Sequence, residues 1–313
     1  MFVDPKPVRF QSSGEMCRGD LFLPDGDANP PIVVLAHGFG GERTWQLPAY
    51  ARRFVEQGLA AFVFDYRTFG DSGGQPRNLV SPRRQLADWR ASIEHVRSRD
   101  DVDGNRLALW GTSLSGGHVI TTAARDKDVT AVVAQVPFSD GLATVAHTLW
   151  RGGASYAWAA TVGALRDLPR ALVSRTPHYI PIVDEGDGFG VLNTPDAKAA
   201  VEALVPADET FRNKVPGRVA ATLPFYRPIS KAEDVVCPTF VVEATRDRLI
   251  PSRTVRRLVT KLDDVVRIRL SISHFDVYKS PTFDCLVDRQ TSFLCQHLRA
   301  ACHRIILNRS VVL

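Results

Sequence analysis

The sequence lacks the features that mark membrane-spanning, secreted and disulfide-stabilised proteins. It contains no run of about 18 apolar residues, and its N-terminus, MFVDPKPVRF, has no cationic start followed by an apolar stretch. Neither a membrane span nor a signal peptide is therefore predicted, and the expected location is cytoplasmic. The 5 cysteines include no C-x-x-C pair and no Cys/His cluster at metal-ligand spacing, so no disulfide framework or metal site is expected.

The sequence also lacks the massed basic surface that nucleic-acid binding requires, although its net charge is +5. Its arginine clusters are short, and acidic residues lie near them in the sequence. They fall on separate predicted helices, at residues 52–53, 83–84 and 253–257. We interpret them as solvated helix faces and expect no nucleic-acid partner.

What the sequence has is the composition of a globular protein. Its 313 residues are 44% hydrophobic and 23% charged, enough for one large core or two modest ones. Short apolar runs rich in β-branched residues alternate with amphipathic helical stretches, which is typical of a mostly parallel central sheet with helices on both faces. After an opening hairpin at 8–23, strands are predicted at 32–36, 59–65, 107–110, 132–136, 239–243 and 265–270.

The alternation stops after Phe138 and resumes at about Val235. The intervening stretch is rich in aromatic residues and proline and contains no clear predicted strand. Residues 1–137 and 236–313 are therefore predicted to form one α/β domain, with residues 138–235 as a helical lid inserted after the sixth strand. Nothing in the pattern predicts an oligomeric state.

The strongest local signal is WGTSLSGG at residues 110–117, between a predicted strand and a predicted helix. A serine on a tight strand-to-helix turn is held in a strained backbone conformation, which requires small residues two positions before and after it. Gly111 and Ser115 meet this requirement around Ser113, although Ser115 departs from a strict G-x-S-x-G pattern. A turn that merely allows close strand-helix packing would also explain these small residues.

A glycine-rich loop, HGFGG at residues 37–41, follows the predicted strand at 32–36. Such a loop can aim the Phe39 N–H at the same point as the Leu114 N–H. Two converging backbone donors would form an oxyanion hole beside Ser113.

A serine nucleophile needs a base and an acid that orients the base. His274 follows the predicted strand at 265–270, and Asp247 follows the strand at 239–243. Glu243 is the second candidate for the acid, but it lies within its strand, and Asp276 is expected to make local hydrogen bonds. The order nucleophile, acid, histidine is the order found in α/β-hydrolases.

Together, the segments HGFGG, FDYRTFGDSGG, WGTSLSGGHV, ATRDRLIP and SHFDVY resemble the α/β-hydrolase superfamily. Within it, they are similar to microbial serine hydrolases allied to dienelactone hydrolases and X-Pro dipeptidyl-peptidases. The resemblance implies an α/β-hydrolase fold, with Ser113 as nucleophile, Asp247 and His274 as triad partners, and Phe39 and Leu114 as oxyanion donors. Two departures are Ser113, where dienelactone hydrolases carry cysteine, and Phe39, where the peptidase branch often has tyrosine.

The expected reaction is hydrolysis of a carboxylic ester or thioester of a small-molecule acyl substrate through an acyl-enzyme, with no cofactor and no metal. The same triad would also serve an acyltransferase of secondary metabolism or a peptidase. For a peptidase, Asp184, Glu185 and Asp187 are the acidic residues in the lid that could hold a substrate amine. A ligand-binding protein without turnover is a further alternative. Epoxide hydrolases and haloalkane dehalogenases are disfavoured because they need a carboxylate where Ser113 stands.

Several residues that border the predicted site are candidate substrate contacts. His37 and Gly38 belong to the glycine-rich loop, Tyr66 follows the strand at 59–65, and Trp150 and Trp158 lie in the lid. The tryptophans predict either an apolar acyl or aryl pocket or the lid's own core. The sequence does not identify the substrate.

Overall fold

The centre of the structure is an eight-stranded sheet. The computed structural model describes residues 4–26, 28–186 and 188–299. The strands, in chain order, are β1 (Lys6–Ser12), β2 (Glu15–Phe22), β3 (Pro31–Ala36), β4 (Ala60–Phe64), β5 (Asp103–Thr112), β6 (Ala131–Gln135), β7 (Tyr179–Ile180), β8 (Val215–Pro216), β9 (Thr239–Ala244) and β10 (Val265–Leu270). The α-helices are α1 (Leu47–Glu56), α2 (Pro82–Arg97), α3 (Leu114–Ala123), α4 (Gly141–Leu172), α5 (Ala197–Glu202), α6 (Val219–Thr222), α7 (Ser252–Val259) and α8 (Thr282–Leu298).

The strand order in the sheet is β1-β2-β4-β3-β5-β6-β9-β10. The hairpin of β1 and β2 is antiparallel and joins β4 in an antiparallel register, whereas the remaining neighbours pair in parallel. The carboxyl ends of β3, β5, β6, β9 and β10 therefore meet at one edge of the sheet, where ligands bind in folds of this kind.

Apolar side chains leave the sheet on both faces, and helices cover each face. Strands β3, β4, β6 and β9 are buried at every position, as their continuous apolar runs predict. One core cluster joins the sheet to α2, α3 and α7, and another joins its opposite face to α1 and α8. The predicted mostly parallel sheet with helices on both faces is confirmed.

Some local expectations from the sequence differ from the structure. The residues DGN at 103–105 predict a turn before the strand, but β5 begins at Asp103, which pairs with Pro31. The sequence Ser81-Pro82 predicts a helix cap, but the Ser81 side chain makes no capping hydrogen bond, and Pro82 begins α2. A final helix is predicted from about Pro281 to Ile305; α8 spans Thr282–Leu298, and the part of the prediction beyond Arg299, including Cys302 and His303, lies outside the described residues.

The segment between β6 and β9 is largely helical, but the prediction that it contains no strand was wrong. The two-residue strands β7 and β8 pair in an antiparallel register. The long helix α4 has a kink at Gly153, where φ is 72°. In the described part of the chain, no helix is both long and apolar enough to cross a membrane.

A buried carboxylate holds this segment together. Asp167 of α4 accepts hydrogen bonds from the His178 N–H and from the backbone N–H and guanidinium of Arg218. Because these bonds offset the burial of the charge, the pKa of Asp167 stays below its ordinary value even though burial opposes the shift. One side chain therefore ties α4 to the chain before β7 and to the start of α6.

Buried amides connect α8 to the sheet beneath the site. The Gln290 side chain accepts from the Trp110 indole N–H at 2.9 Å and donates to Gln135 Oε1 at 2.9 Å. The Gln135 amide also donates to the Tyr50 hydroxyl at 3.0 Å. Without the Gln290 amide the buried indole N–H of Trp110 would lose its hydrogen-bond acceptor, and Gln135 Oε1 would keep only the Tyr50 hydroxyl, at 3.2 Å.

We predict that Gln290→Leu lowers the free energy of unfolding by about 2 kcal/mol, because it leaves the buried indole N–H of Trp110 without an acceptor and removes one of the donors to Gln135 Oε1. Urea unfolding followed by circular dichroism measures the change. Gln296→Leu on the exposed face of the same helix is the control and should stay within about 0.5 kcal/mol of the wild type. Equal effects of the two substitutions would contradict the proposed role of the network.

Candidate active site

Ser113 is the single residue between the end of β5 and the start of α3. Its backbone has φ 55° and ψ −120°, a strained conformation for a residue with a side chain. Two backbone hydrogen bonds hold it there, because the Ser113 N–H donates to the Gln135 carbonyl at 2.9 Å and the Phe138 N–H donates to the Ser113 carbonyl at 2.8 Å. The corner is thus fixed from the end of β6.

The corner is packed too closely for larger residues. A Cβ on Gly111 would lie 2.3 Å from the Ser115 carbonyl oxygen, and a Cβ on Gly38 would lie 2.9 Å from the Ser113 Cβ. Ser115 is fully buried, and its hydroxyl lies 2.8 Å from the Tyr66 hydroxyl. The serine in place of the usual glycine therefore makes an internal hydrogen bond, while the Ser113 side chain borders open space.

The side chains of Ser113, His274 and Asp247 form one hydrogen-bonded row. His274 Nε2 lies 3.1 Å from Ser113 Oγ, and His274 Nδ1 lies 2.6 Å from Asp247 Oδ2. The other oxygen of Asp247 accepts the backbone N–H groups of Leu249 and Ile250, each at 2.8 Å. The carboxylate is therefore fixed by its own loop with one oxygen facing the imidazole, an arrangement that can orient a general base.

The other acids near this row bind elsewhere. Glu243 is buried in β9 and binds the Arg267 guanidinium and the Ser252 hydroxyl. Asp276 accepts the Ser273 N–H at 2.8 Å and so shapes the loop that carries His274. Asp247, rather than Glu243 or Asp276, therefore lies beside the imidazole of His274.

The loop that carries Phe39 is held by a buried acid. Asp65 accepts the Arg43 backbone N–H at 2.7 Å and the Arg43 guanidinium at 2.5 Å, and it lies 3.7 Å from His37 Nε2. Leu114 is the first residue of α3, so its N–H has no acceptor within the helix. The sequence analysis missed Asp65, although a carboxylate directly after an apolar strand was a usable signal.

Two cavities meet at Ser113. The larger, of about 360 Å³, is lined by apolar side chains and threonines from α3, α4, α6 and the neighbouring loops, with no charged side chain among them. The smaller, of about 50 Å³, is lined by His274, His37 and Gly38, among others. Ser113 and Phe39 border both cavities, so a group bound at Ser113 can extend in two directions.

Only some of the predicted substrate contacts border these cavities. His37 and Gly38 line the smaller one, whereas Tyr66 is fully buried and binds the Trp89 indole N–H instead. Trp150 and Trp158 are 81% and 72% exposed and line neither cavity. Their placement as substrate contacts was therefore wrong, as was the alternative that they form the lid's own core, because α4 turns both side chains outward.

A contact that the sequence analysis missed joins the segment between β6 and β9 to the helix behind Ser113. The Tyr226 hydroxyl lies 2.7 Å from His118 Nδ1 and 3.2 Å from the Thr121 hydroxyl. Burial lowers the pKa of His118 to about 3, so the imidazole is neutral at ordinary pH. Among the residues with described positions, no group of histidine, cysteine and acidic side chains could hold a metal ion.

The chain is similar to several known proteins. Residues 33–277 match the model of the Alpha/beta hydrolase family. The chain is 35% identical over 295 residues to the quorum-quenching protein AidA of Acinetobacter baumannii, covering 93% of this chain and 94% of that protein. It is 36% identical over 124 residues to the thiohydrolase aneE of Aspergillus aculeatus, covering 40% and 38% of the two chains. The crystal structure of the alpha/beta hydrolase GrgF from a Penicillium species superposes with a TM-score of 0.79 and 22% identity, covering 94% of this chain and 99% of that one.

Glu42, which lies where the Phe39 loop meets the segment between β6 and β9, has a shifted pKa. Burial, together with the charges of Asp65 and Glu209, raises the pKa of Glu42 to about 7. The unfolded chain loses this proton near the ordinary pKa of about 4.3, earlier than the folded chain does. The contribution of Glu42 to stability therefore falls as pH rises from about 4.3 to about 7.

We predict that Glu42→Gln removes this part of the pH dependence, because glutamine does not ionise. The difference between variant and wild type in the midpoint of urea unfolding should grow in favour of the variant from pH 4.5 to pH 7.5. Glu56→Gln, at an exposed position of α1, is the control and should show no such trend. A constant difference across this range would contradict the raised pKa of Glu42.

Proposed function

The chain belongs to the Alpha/beta hydrolase family, as its motifs predicted, and from that premise we propose that it hydrolyses a carboxylic ester or thioester through an acyl-enzyme. The observation that carries the proposal is the row of Ser113, His274 and Asp247 at the meeting point of two cavities. This row supplies a nucleophile, a base and an orienting acid without any further group.

In the proposed mechanism, His274 Nε2 takes the proton of Ser113 Oγ as the oxygen attacks the substrate's carbonyl carbon. Asp247 keeps the proton on Nδ1 and stabilises the imidazolium that forms. The N–H groups of Phe39 and Leu114 donate to the oxyanion of the tetrahedral intermediate. The intermediate collapses to the acyl-enzyme, and the leaving oxygen or sulfur takes the proton from Nε2. Water then attacks the acyl carbon with the same assistance and releases the acid.

The two cavities suggest how the substrate is oriented. The leaving group and the attacking water must both exchange protons with His274, and His274 borders only the smaller cavity of the two. The larger cavity borders Ser113 and Leu114 but not His274, and its uncharged lining suits an aliphatic or aryl acyl group. We therefore assign the acyl group to the larger cavity.

A peptidase is disfavoured by the hydrogen bonds of the acidic residues in the segment between β6 and β9. A peptidase grip for a substrate amine has no support, because Asp184 accepts the N–H groups of Gly186 and Gly188, and Glu185 accepts from Asn213. Asp187 lies outside the described residues.

We further propose that residues 138–235 act as a lid over a catalytic domain formed by residues 1–137 and 236–313. Most of the larger cavity's lining comes from this segment, including Thr148, Tyr156 and Val219. The name of one relative, a thiohydrolase, is consistent with hydrolysis of a thioester.

The nucleophile is tested with a fluorophosphonate probe, which labels only an activated serine. We expect labelling of the wild type, none of Ser113→Ala, and retained labelling of Ser115→Ala, the matched control two residues further along the chain. Labelling that survives Ser113→Ala would overturn the assignment.

The acid is tested by Asp247→Asn. This variant should slow ester hydrolysis about a hundredfold or more, because the imidazole loses the acid that orients it. Unchanged hydrolysis in Asp247→Asn would contradict the role of the acid.

The acyl assignment is tested by filling the larger cavity. Ala164 of α4 lines it, and Ala164→Phe should lower kcat/KM for p-nitrophenyl octanoate about tenfold or more, because several methylenes lose their buried site. Turnover of p-nitrophenyl acetate should change less than about twofold, since the short chain leaves most of the cavity empty. Ala154→Phe, at an exposed position of α4, is the control. Equal losses for both esters would place the acyl chain elsewhere.

A further inference from the structure

A cluster of arginines lies on the loop that carries Asp247 and on the elements beside it. Arg246 and Arg248 flank Asp247, Arg253 lies in the first turn of α7, and Arg151 comes from α4. The Arg151 guanidinium donates to the Arg248 carbonyl oxygen at 2.6 Å, so α4 is in direct contact with the loop. We call these residues the arginine rim.

The members of the arginine rim form no ion pair across the described ranges, whereas arginines elsewhere pair with buried acids, as Arg218 does with Asp167. The nearby acids have other hydrogen-bond partners: Asp247 binds His274, and Asp276, on which the charge of Arg246 acts, accepts the Ser273 N–H. The guanidinium groups of the rim are therefore left to solvent or to a ligand.

The charges of the arginine rim act on one another. Burial and the charge of Arg248 lower the pKa of Arg151. One helical turn before Arg151, burial and the charges of Arg151 and Arg253 lower the pKa of His147. Like charges held this close favour a bound anion, because an anion relieves their repulsion.

The arginine rim adjoins the larger cavity. Thr148 and Leu149, which precede Arg151 on α4, line the cavity, and so do Leu249 and Ile250, which follow Arg248. The cavity itself carries no charged side chain, so the positive charge begins where the apolar lining ends. Arg248 also lies directly beside the acid that holds His274.

We propose that the arginine rim binds an anionic group, a phosphate or a carboxylate, that the substrate carries outside the apolar cavity. This inference rests on the proposed function and narrows it to amphiphilic substrates with an uncharged acyl part and an anionic part. Guanidinium groups bind both anions through paired N–H donors. The monoester of a dicarboxylic acid has this chemistry on its acyl group, which is the part of the substrate assigned to the larger cavity beside the rim. A thioester of a phosphorylated thiol has it on its leaving group and would reach the rim only in the reverse orientation.

The experiment compares substrates that differ only in the anionic group. Octanoyl-coenzyme A is compared with the octanoyl thioester of N-acetylcysteamine, which lacks the phosphates, and the p-nitrophenyl monoester of a dicarboxylic acid is compared with a neutral ester of equal length. We expect at least one anionic member to exceed its neutral counterpart about tenfold in kcat/KM, mainly through KM. This advantage should shrink in 0.5 M NaCl, because salt screens exposed charges.

The variant Arg248→Gln/Arg253→Gln tests the site itself. It should remove most of the preference for the anionic substrate while leaving turnover of the neutral thioester within about twofold of the wild type. Arg9→Gln, an exposed arginine on β1 at the opposite edge of the sheet, is the control for lost positive charge and should keep the preference.

The outcomes separate this inference from the proposed function. A preference seen only with the ester pair places the anion on the acyl group, as the orientation proposed above requires. A preference seen only with the thioester pair places it on the leaving group and overturns that orientation. Equal rates within both pairs, or a preference that survives the double variant, would overturn the inference. If no substrate is turned over, the proposed function fails, and calorimetric titration of coenzyme A into wild type and double variant then tests the rim directly: equal or absent binding overturns it.

Discussion

The backbone of Ser113 is the constraint on which the candidate site depends. A positive φ at a residue with a side chain is unfavourable, and here the neighbouring strand end holds it through two backbone hydrogen bonds. This conformation carries the chain from β5 into α3 within one residue. It places the Ser113 hydroxyl near His274, with the N-terminus of α3 beside that hydroxyl. Gly38 and Gly111 lie against the corner, and a Cβ on either residue would lie too close to its neighbours.

Polar and apolar functions come from different parts of the chain. The parallel sheet supplies fixed polar groups, and its loops are held by acids, the buried Asp65 in the Phe39 loop and the partly exposed Asp276 in the His274 loop. The segment between β6 and β9 supplies most of the uncharged cavity. It is fastened to the helix behind Ser113 by Tyr226 and within itself by Asp167. The elements that hold the candidate catalytic side chains and the elements that line the larger cavity are thus separate, and they meet at Ser113.

The sequence predicted the parts of the structure that local chemistry determines. Alternating apolar runs predicted the sheet, and small residues around Ser113 predicted the corner. The exposure of Trp158 could not be predicted, because α4 has apolar residues on more than one side and only tertiary packing decides which side turns inward. The pairing of β7 with β8 and the contact of Tyr226 with His118 depend on long-range packing for the same reason. The catalytic roles of Ser113, Asp247 and His274 stay predictions, now with a geometry that suits them.

Ser113, Asp247 and His274 lie far apart in the sequence, so the row that they form depends on long-range folding. His274 lies 161 positions from Ser113 and 27 from Asp247, with the whole cavity-forming segment between the serine and the acid. Closing so long a loop costs conformational entropy, and the contacts within the sheet offset this cost only after β9 and β10 have joined β6. We therefore expect the row to form at that stage of folding. A partly synthesised or partly unfolded chain therefore carries Ser113 without a base beside it. Only a completely folded chain can carry out the proposed reaction.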